Sequence, residues 1–410
     1  MRADVIRFSL PDPGDVSNLR QAIAAGAVNP REIVAVIGKT HGNGLVNDYT
    51  RGFLTQSLAL LISSATGETP DVVKARIPFI FSGGVEGVLS PHYCVFTVAE
   101  SPATENDEKA LAVGVAFTPA LKPNDIGRQR HIDLTADAVL RAMRSAKIQS
   151  SADVHFVQVK GPAFPLSDIL ANVNSGETAA SDDPGRLMGL GRAASALGVA
   201  KALGEVPDHH AVESAVAKDF KLFSSVASCS AGVEVRLNEV VVVGMSSKWS
   251  GPLGIEHAAM MDALDTAGIR AALYRLGFPD APQVPSEQAS RIRAAFVKCE
   301  ASRDGLIRGK SHTMLNDGDI DQQRHIRAAV GAIVASVVND TAIFVSGGAE
   351  HQGPSGGGND RHHRRTSKMR PPAGVSGIRV GNADEGKEQH RPGKTTRTYA
   401  LSPGGRGADA

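Results

Sequence analysis

The chain has little from which to build a disulfide framework or a zinc site. Its three cysteines, Cys94, Cys229 and Cys299, stand far apart and form no CxxC. No stretch approaches the roughly 18 to 20 apolar residues that a membrane span requires. The first residues, Met1 to Phe8, alternate in character without a continuous apolar region, so a first strand is expected there and not a signal peptide. Charge of one sign is also missing: 44 Lys/Arg against 43 Asp/Glu leave +1, which gives no general reason to expect nucleic acid or a membrane surface as partner. The default compartment is the cytoplasm. That balance is uneven along the chain, because residues 359–410 carry eleven Lys/Arg and five Asp/Glu, so this stretch is +6 and the rest is −5. Gly189-Leu190-Gly191-Arg192-Ala193-Ala194 has the form GxGxxA, yet it follows a polar stretch where a dinucleotide fold needs a strand, and is set aside.

What the chain does contain is one short motif written three times. Phe81-Ser82-Gly83-Gly84-Val85-Glu86 returns as Cys229-Ser230-Ala231-Gly232-Val233-Glu234 and as Val345-Ser346-Gly347-Gly348-Ala349-Glu350. Upstream of each copy come a strand ending in lysine and an arginine at the head of a helix-like run. The sets are Lys39, Arg51, Ser82; Lys160, Arg192, Ser230; and Lys298, Arg327, Ser346. A single Ser-Gly-Gly is an ordinary turn, but an ordered triplet recurring at about the length of a small domain indicates an internal repeat. Three units are therefore expected, 1–103, 104–250 and 251–358, with equivalent residues converging on one place. Residues 359–410, poor in apolar side chains and rich in Gly, Pro, Thr and basic residues, are expected to form a disordered, solvated tail.

Periodicity predicts a similar order of elements in each unit. Helices are expected over 15–28, from 47 onward, over 135–146 and from Arg192, and again over 255–276 and from Arg324. Strands are expected at 33–37, 77–81, 154–159, 240–243, 295–297 and 342–345, with a polar loop over 172–187.

Serine is a weak nucleophile until a base takes its proton, and a lysine does so once burial or neighbouring positive charge lowers its pKa. Each set supplies a serine, a lysine, and an arginine that both depresses the lysine and grips a planar oxygen or imide. The glycines after each serine let backbone N–H groups approach a ligand oxygen, as an oxyanion hole requires. Three such sets around one cavity suit a small cyclic molecule with repeating carbonyls. Glu300 with the Gly/Pro loop 349–357 forms a second candidate, since a hard cation accepts one carboxylate plus main-chain carbonyls.

These residues resemble a known family. Gly38-Lys39-Thr40 with Gly42-Asn43-Gly44 and Asn47 to Arg51, Ser82 to His92, and Ser346 to Pro354 are similar to the ring-opening amidohydrolases, the family of cyanuric acid hydrolase and barbiturase, over about residues 3–358. The resemblance implies an α/β fold of three equivalent β/α domains about a pseudo-threefold axis with one central site, commonly in a homotetramer. It implies hydrolysis of a cyclic imide without a catalytic metal or other catalytic cofactor: cyanuric acid in one branch, barbituric acid in the other. A non-catalytic binding protein on the same fold is the alternative of another class. Carried over, Lys160 is the implied general base and Ser230 the nucleophile. Arg51, Arg192 and Arg327, with Ser82-Gly83, Ser230-Ala231 and Ser346-Gly347, are the implied substrate clamps, and Lys39 and Lys298 complete the other dyads. Gln323 lies where the family tunes ring specificity. Glu300 and the backbone at Ala349, Gln352, Gly353, Pro354 and Gly357 resemble the family's structural Mg²⁺ or Ca²⁺ site.

Overall fold

The computed structural model describes residues 1–101 and 108–354, together with the backbone of a strand at 375–378. The first sheet comes from β1 (Arg2–Ser9), β2 (Ile33–Thr40), β3 (Phe79–Gly83) and β4 (His92–Ala99), with helices α1 (Ser17–Ala24), α2 (Thr50–Thr66) and α3 (Pro70–Arg76) between them. The second comes from β5 (Ala110–Phe117), β6 (Val154–Pro162), β7 (Ala227–Gly232) and β8 (Glu239–Ser246), with α4 (Gln129–Ser145), α5 (Leu166–Asn174) and α6 (Pro184–Ala202). The third stretch runs through β9 (Ile255–Ala258), α7 (Thr266–Arg275), α8 (Ser286–Ala289), β10 (Ala294–Cys299), a hairpin of β11 (Leu306–Ile307) and β12 (Lys310–Ser311), α9 (Gln322–Val338), β13 (Phe344–Gly347) and β14 (Val375–Ile378).

Strand order shows the repetition directly. The three sheets read β1-β4-β2-β3, β5-β8-β6-β7 and β9-β14-β10-β13, so each position has an equivalent in the other two. In every sheet one pair is parallel, β2 with β3, β6 with β7 and β10 with β13, and the chain between its members is a helical crossover. The outcome is the expected α/β architecture of three like units about a pseudo-threefold axis. A shared core of buried side chains draws on all three sheets. At its centre Phe296 stacks on Phe156 with ring centroids 4.8 Å apart and meets Phe344 at 5.6 Å and Phe96 at 6.3 Å.

Parallel pairing is what turns sequence order into a site. The register sets Lys39 opposite Ser82, Lys160 opposite Ser230 and Lys298 opposite Ser346, each at the carboxyl end of its strands. Open parallel sheets bind ligands at this edge. The crossover helix then returns each arginine to the same end.

Four expectations need correction. The predicted helix 255–276 is a strand, β9, then a turn and the shorter α7; Asp265 caps α7 by accepting from the Gly268 N–H at 3.1 Å, which fixes the start there. The stretch 172–187 is no single loop, because α5 runs to Asn174 and α6 begins at Pro184 behind the cap Asp183. Arg192 and Arg327 consequently lie in the interior of α6 and α9, and only Arg51 is in a first turn. The stretch 359–410, expected to be disordered throughout, contributes β14. It fills the position between β9 and β10 that β4 and β8 fill in the other sheets, where both neighbours offer unpaired main-chain groups. The rest of the stretch lies outside the described residues.

Candidate active site

The three lysines converge, but they do not make the same bonds. Lys39 Nζ donates to Gly83 O at 3.0 Å and Ser82 Oγ at 3.4 Å, and Lys298 Nζ donates to Gly347 O at 2.9 Å and Ser346 Oγ at 3.1 Å. Lys298 also reaches across units to Cys229 O at 2.6 Å. Lys160 makes the matching cross-unit bond, to Phe81 O at 2.7 Å, yet turns its remaining contact to Glu234 Oε1 at 3.0 Å. No hydrogen bond joins it to Ser230, although the two are cross-strand partners. Ser230 Oγ instead has two long contacts of 3.5 Å, to Gln158 Nε2 and Val159 O. Ser82 and Ser346 are buried, whereas Ser230 is half-buried.

All three ammonium groups are buried, and burial is the main reason their pKa values fall. Lys39, with Arg327 adding to the effect, and Lys298, with Arg192 adding to it, are brought to about 7. Lys160 is also lowered by burial and by Arg51, while Glu234 opposes both. Two of the lysines thus sit near the midpoint between acid and base at neutral pH, and the third has a carboxylate beside it.

Each arginine meets the glutamate of another unit. Arg192 holds Glu350 with two bonds, 2.9 and 2.7 Å, and Arg327 donates to Glu86 at 2.5 Å. Arg51 Nε stands 3.5 Å from Glu234 Oε1 and 3.8 Å from Asp48, while its outer nitrogens donate to Ala231 O at 3.2 Å and Leu45 O at 2.8 Å. These glutamates were absent from the candidate set. Their signal was present in the sequence, since each follows its serine by the same four positions.

In the third copy the glycines make room for the close approach of two arginines. A Cβ on Gly347 would lie 2.9 Å from Arg327 Nη1 and 3.2 Å from the Cβ of Gln323, which places Gln323 beside the third serine. Gly348, at φ 71°, takes a left-handed conformation, and a Cβ there would be 2.7 Å from the Arg192 guanidinium. The three cysteines are buried and free, with burial pushing each thiol up to about 12, so none serves as a nucleophile at neutral pH.

The second constellation also assembles. Glu300, Ala349, Gln352, Gly353 and Pro354 line one cavity of about 60 Å³; Gly357 lies outside the described residues. One carboxylate with main-chain carbonyls would supply the hard oxygens that Mg²⁺ or Ca²⁺ prefers. The Gln352 side chain is already spent, accepting from Cys229 N at 2.5 Å and donating to Gly348 O and Glu350 O, so only its main chain is available. Arg303 holds Glu300 at 3.1 and 2.7 Å, and a cation would have to take its place or share the carboxylate.

Comparison with known proteins agrees with this architecture. Residues 4–359 match the family model described as amidohydrolase ring-opening protein. The chain belongs to the ring-opening amidohydrolase family. It is 45% identical to a cyanuric acid amidohydrolase of Enterobacter cloacae over 87% of this chain and 98% of that one. A cyanuric acid amidohydrolase of Pseudomonas sp. strain ADP is 46% identical over 87% and 97%, and a cyclic amide hydrolase of Azorhizobium caulinodans 44% identical over 86% and 96%. Among solved structures, one reported as cyanuric acid hydrolase, evolutionary innovation by structural concatenation, superposes with TM-score 0.83 at 42% identity, covering 93% of this chain and 99% of that one. The cyanuric acid hydrolase from A. caulinodans superposes with TM-score 0.81 at 43% identity and the same coverage. As a member of this ring-opening family the chain is an amidohydrolase acting on cyclic amides.

The Arg192–Glu350 pair yields a stability prediction. Burial alone would raise the Glu350 carboxyl, but Arg192 opposite it holds it down at about 2, below its ordinary 4.5. A group depressed on folding stabilises the fold above its unfolded pKa, so this contribution is present above about 4.5 and is lost as pH falls toward 2. Glu350→Ala leaves Arg192 buried and unpaired, at an expected cost of about 3–5 kcal/mol in urea unfolding at pH 7, and removes that share of the acid loss.

Proposed function

We propose that the protein opens the ring of cyanuric acid, with Ser230 as nucleophile and Lys160 as general base. The observation that carries this is the threefold set of lysine, serine and arginine about one centre, which matches a substrate whose three carbonyls are equivalent. Ser230 is the chosen serine because its hydroxyl has only two long contacts, where those of Ser82 and Ser346 accept from a lysine, and because it is the most open of the three. Apo sites often hold catalytic partners apart until substrate enters, so the missing Lys160–Ser230 bond is compatible with the role.

Neutral Lys160 takes the hydroxyl proton as Ser230 Oγ bonds to a ring carbonyl carbon. Main-chain N–H groups beside the small residues and an arginine fork hold the oxyanion. The tetrahedral centre collapses, the C–N bond breaks, and the Lys160 ammonium returns its proton to the leaving nitrogen. Water then cleaves the acyl-serine with Lys160 again as base, releasing carboxybiuret, which loses CO₂ to give biuret. The remaining serines and arginines orient the other two carbonyls, and Gln323 beside Gly347 borders one of those positions. Glu300 and the loop main chain would hold a Mg²⁺ or Ca²⁺ that ties β10 to the segment after β13, a structural role outside the reaction.

Two outcomes check this reading. Purified protein should consume cyanuric acid and release biuret by mass spectrometry, while Ser230→Ala falls at least ~10³-fold with unchanged circular dichroism. An active Ser230→Ala protein would exclude the assignment, turnover of barbituric acid alone would move the substrate, and binding without ring opening would make the protein a receptor. For the cation, addition of Ca²⁺ or Mg²⁺ at about 100 times its Kd should add about 2.7 kcal/mol of stability in the wild type, an increment that Glu300→Ala abolishes.

A further inference from the structure

Resting on the dyad just proposed, the unequal placing of the three repeat glutamates bears on which set does the chemistry. Glu350 gives both oxygens to Arg192, and Glu86 gives one to Arg327. Glu234 stands back from Arg51 at 3.5 Å and puts Oε1 3.0 Å from Lys160 Nζ. Lys39 and Lys298 have their own serines where Lys160 has this carboxylate. We infer that Glu234 is a positioning residue: it anchors the Lys160 ammonium that forms when Ser230 gives up its proton, and so singles out the second set for turnover.

The surroundings fit that task. Both Glu234 oxygens are buried without a hydrogen bond that satisfies ordinary geometry, so the lysine is the nearest group able to answer them. Burial would raise the Glu234 carboxyl, but Lys160 and then Arg51 outweigh it and keep it below its ordinary value, so it is ionised at neutral pH. The other charges facing the pair are Arg51 from α2 with Asp48 just before that helix, Glu239 from β8, and Lys74 and Arg236, which line a cavity of about 300 Å³ together with Glu234. Glu239 lies opposite Lys160 in the sheet and accepts from Phe79 N at 3.1 Å. Burial pushes it up to about 8, so it is mostly neutral at pH 7 and leaves Glu234 as the counter-charge. In the first step the proton moves from Ser230 Oγ to Lys160 Nζ, the O–C bond forms, and the new ammonium sits against a carboxylate already in place. Buried Asp in the serine triad supports imidazolium in the same way.

The test is the pH profile of kcat/KM, which rises as Lys160 loses its proton. Glu234→Gln removes the charge that favours the ammonium, so its acid limb should move to lower pH by about one unit or more while the plateau kcat falls ~10²-fold. Glu234→Asp, with its carboxylate drawn back by one methylene, should move the limb part of the way, and it carries the test if the glutamine variant does not fold. Glu86→Gln and Glu350→Gln loosen equivalent inter-unit contacts and should raise KM with the limb in its wild-type position. A Glu234→Gln or Glu234→Asp limb that coincides with wild type, with KM alone affected, overturns the inference. That failure is separable from failure of the dyad, because it would occur in an enzyme that Ser230→Ala still inactivates.

Discussion

A closed ring of buried charge holds the centre of this protein together. Arg51 from the first unit faces Glu234 of the second, Arg192 of the second grips Glu350 of the third, and Arg327 of the third returns to Glu86 of the first. Burying a guanidinium costs several kcal/mol unless a carboxylate stands ready, and here each carboxylate is supplied by a neighbouring unit. Arg51 also has Leu45 O and Asp48 within its own unit, but the carboxylates that Arg192 and Arg327 hold come from a neighbouring unit, so the ring closes only when all three sheets are assembled. The aromatic junction around Phe296 supplies apolar packing at the same convergence.

The ring also sets the electrostatics of the cavity. Burial disfavours the ammonium form of the three lysines, and the arginines of the ring add to that effect. Lys39 and Lys298 are held near 7 against their own serines, which suits hydrogen bonding to a ligand carbonyl or imide as much as proton transfer. Lys160 alone has an ion-pair partner. On the function proposed above, this one altered contact is what lets a threefold scaffold hold a symmetric ring and still direct attack to one carbonyl.

Much of this was legible in the sequence because the lysine, arginine and serine recur in order, and parallel pairing of the strands that end in lysine and serine makes them neighbours. The destination of each arginine was not legible. Glu86, Glu234 and Glu350 were visible as the acid of the repeated motif, but nothing along the chain says that an arginine meets the acid of another unit. Local patterns failed where tertiary pairing decides: Ile255–Ala258 has apolar spacing that fits a helix, yet β14 pairs with it as a strand. The turn signal Asp183-Pro184 could have placed the start of α6. A carboxylate and a glycine-rich loop are enough to mark the second constellation in the sequence, and the structure brings five of its six residues to one cavity.

The central claim is that one of three like serines carries the acyl group. Wild-type protein mixed with cyanuric acid, quenched in acid within milliseconds and digested for peptide mass spectrometry, tests it most directly. The account predicts an acyl adduct on the peptide containing Ser230 and none on those containing Ser82 or Ser346. An adduct on either of the latter would contradict it.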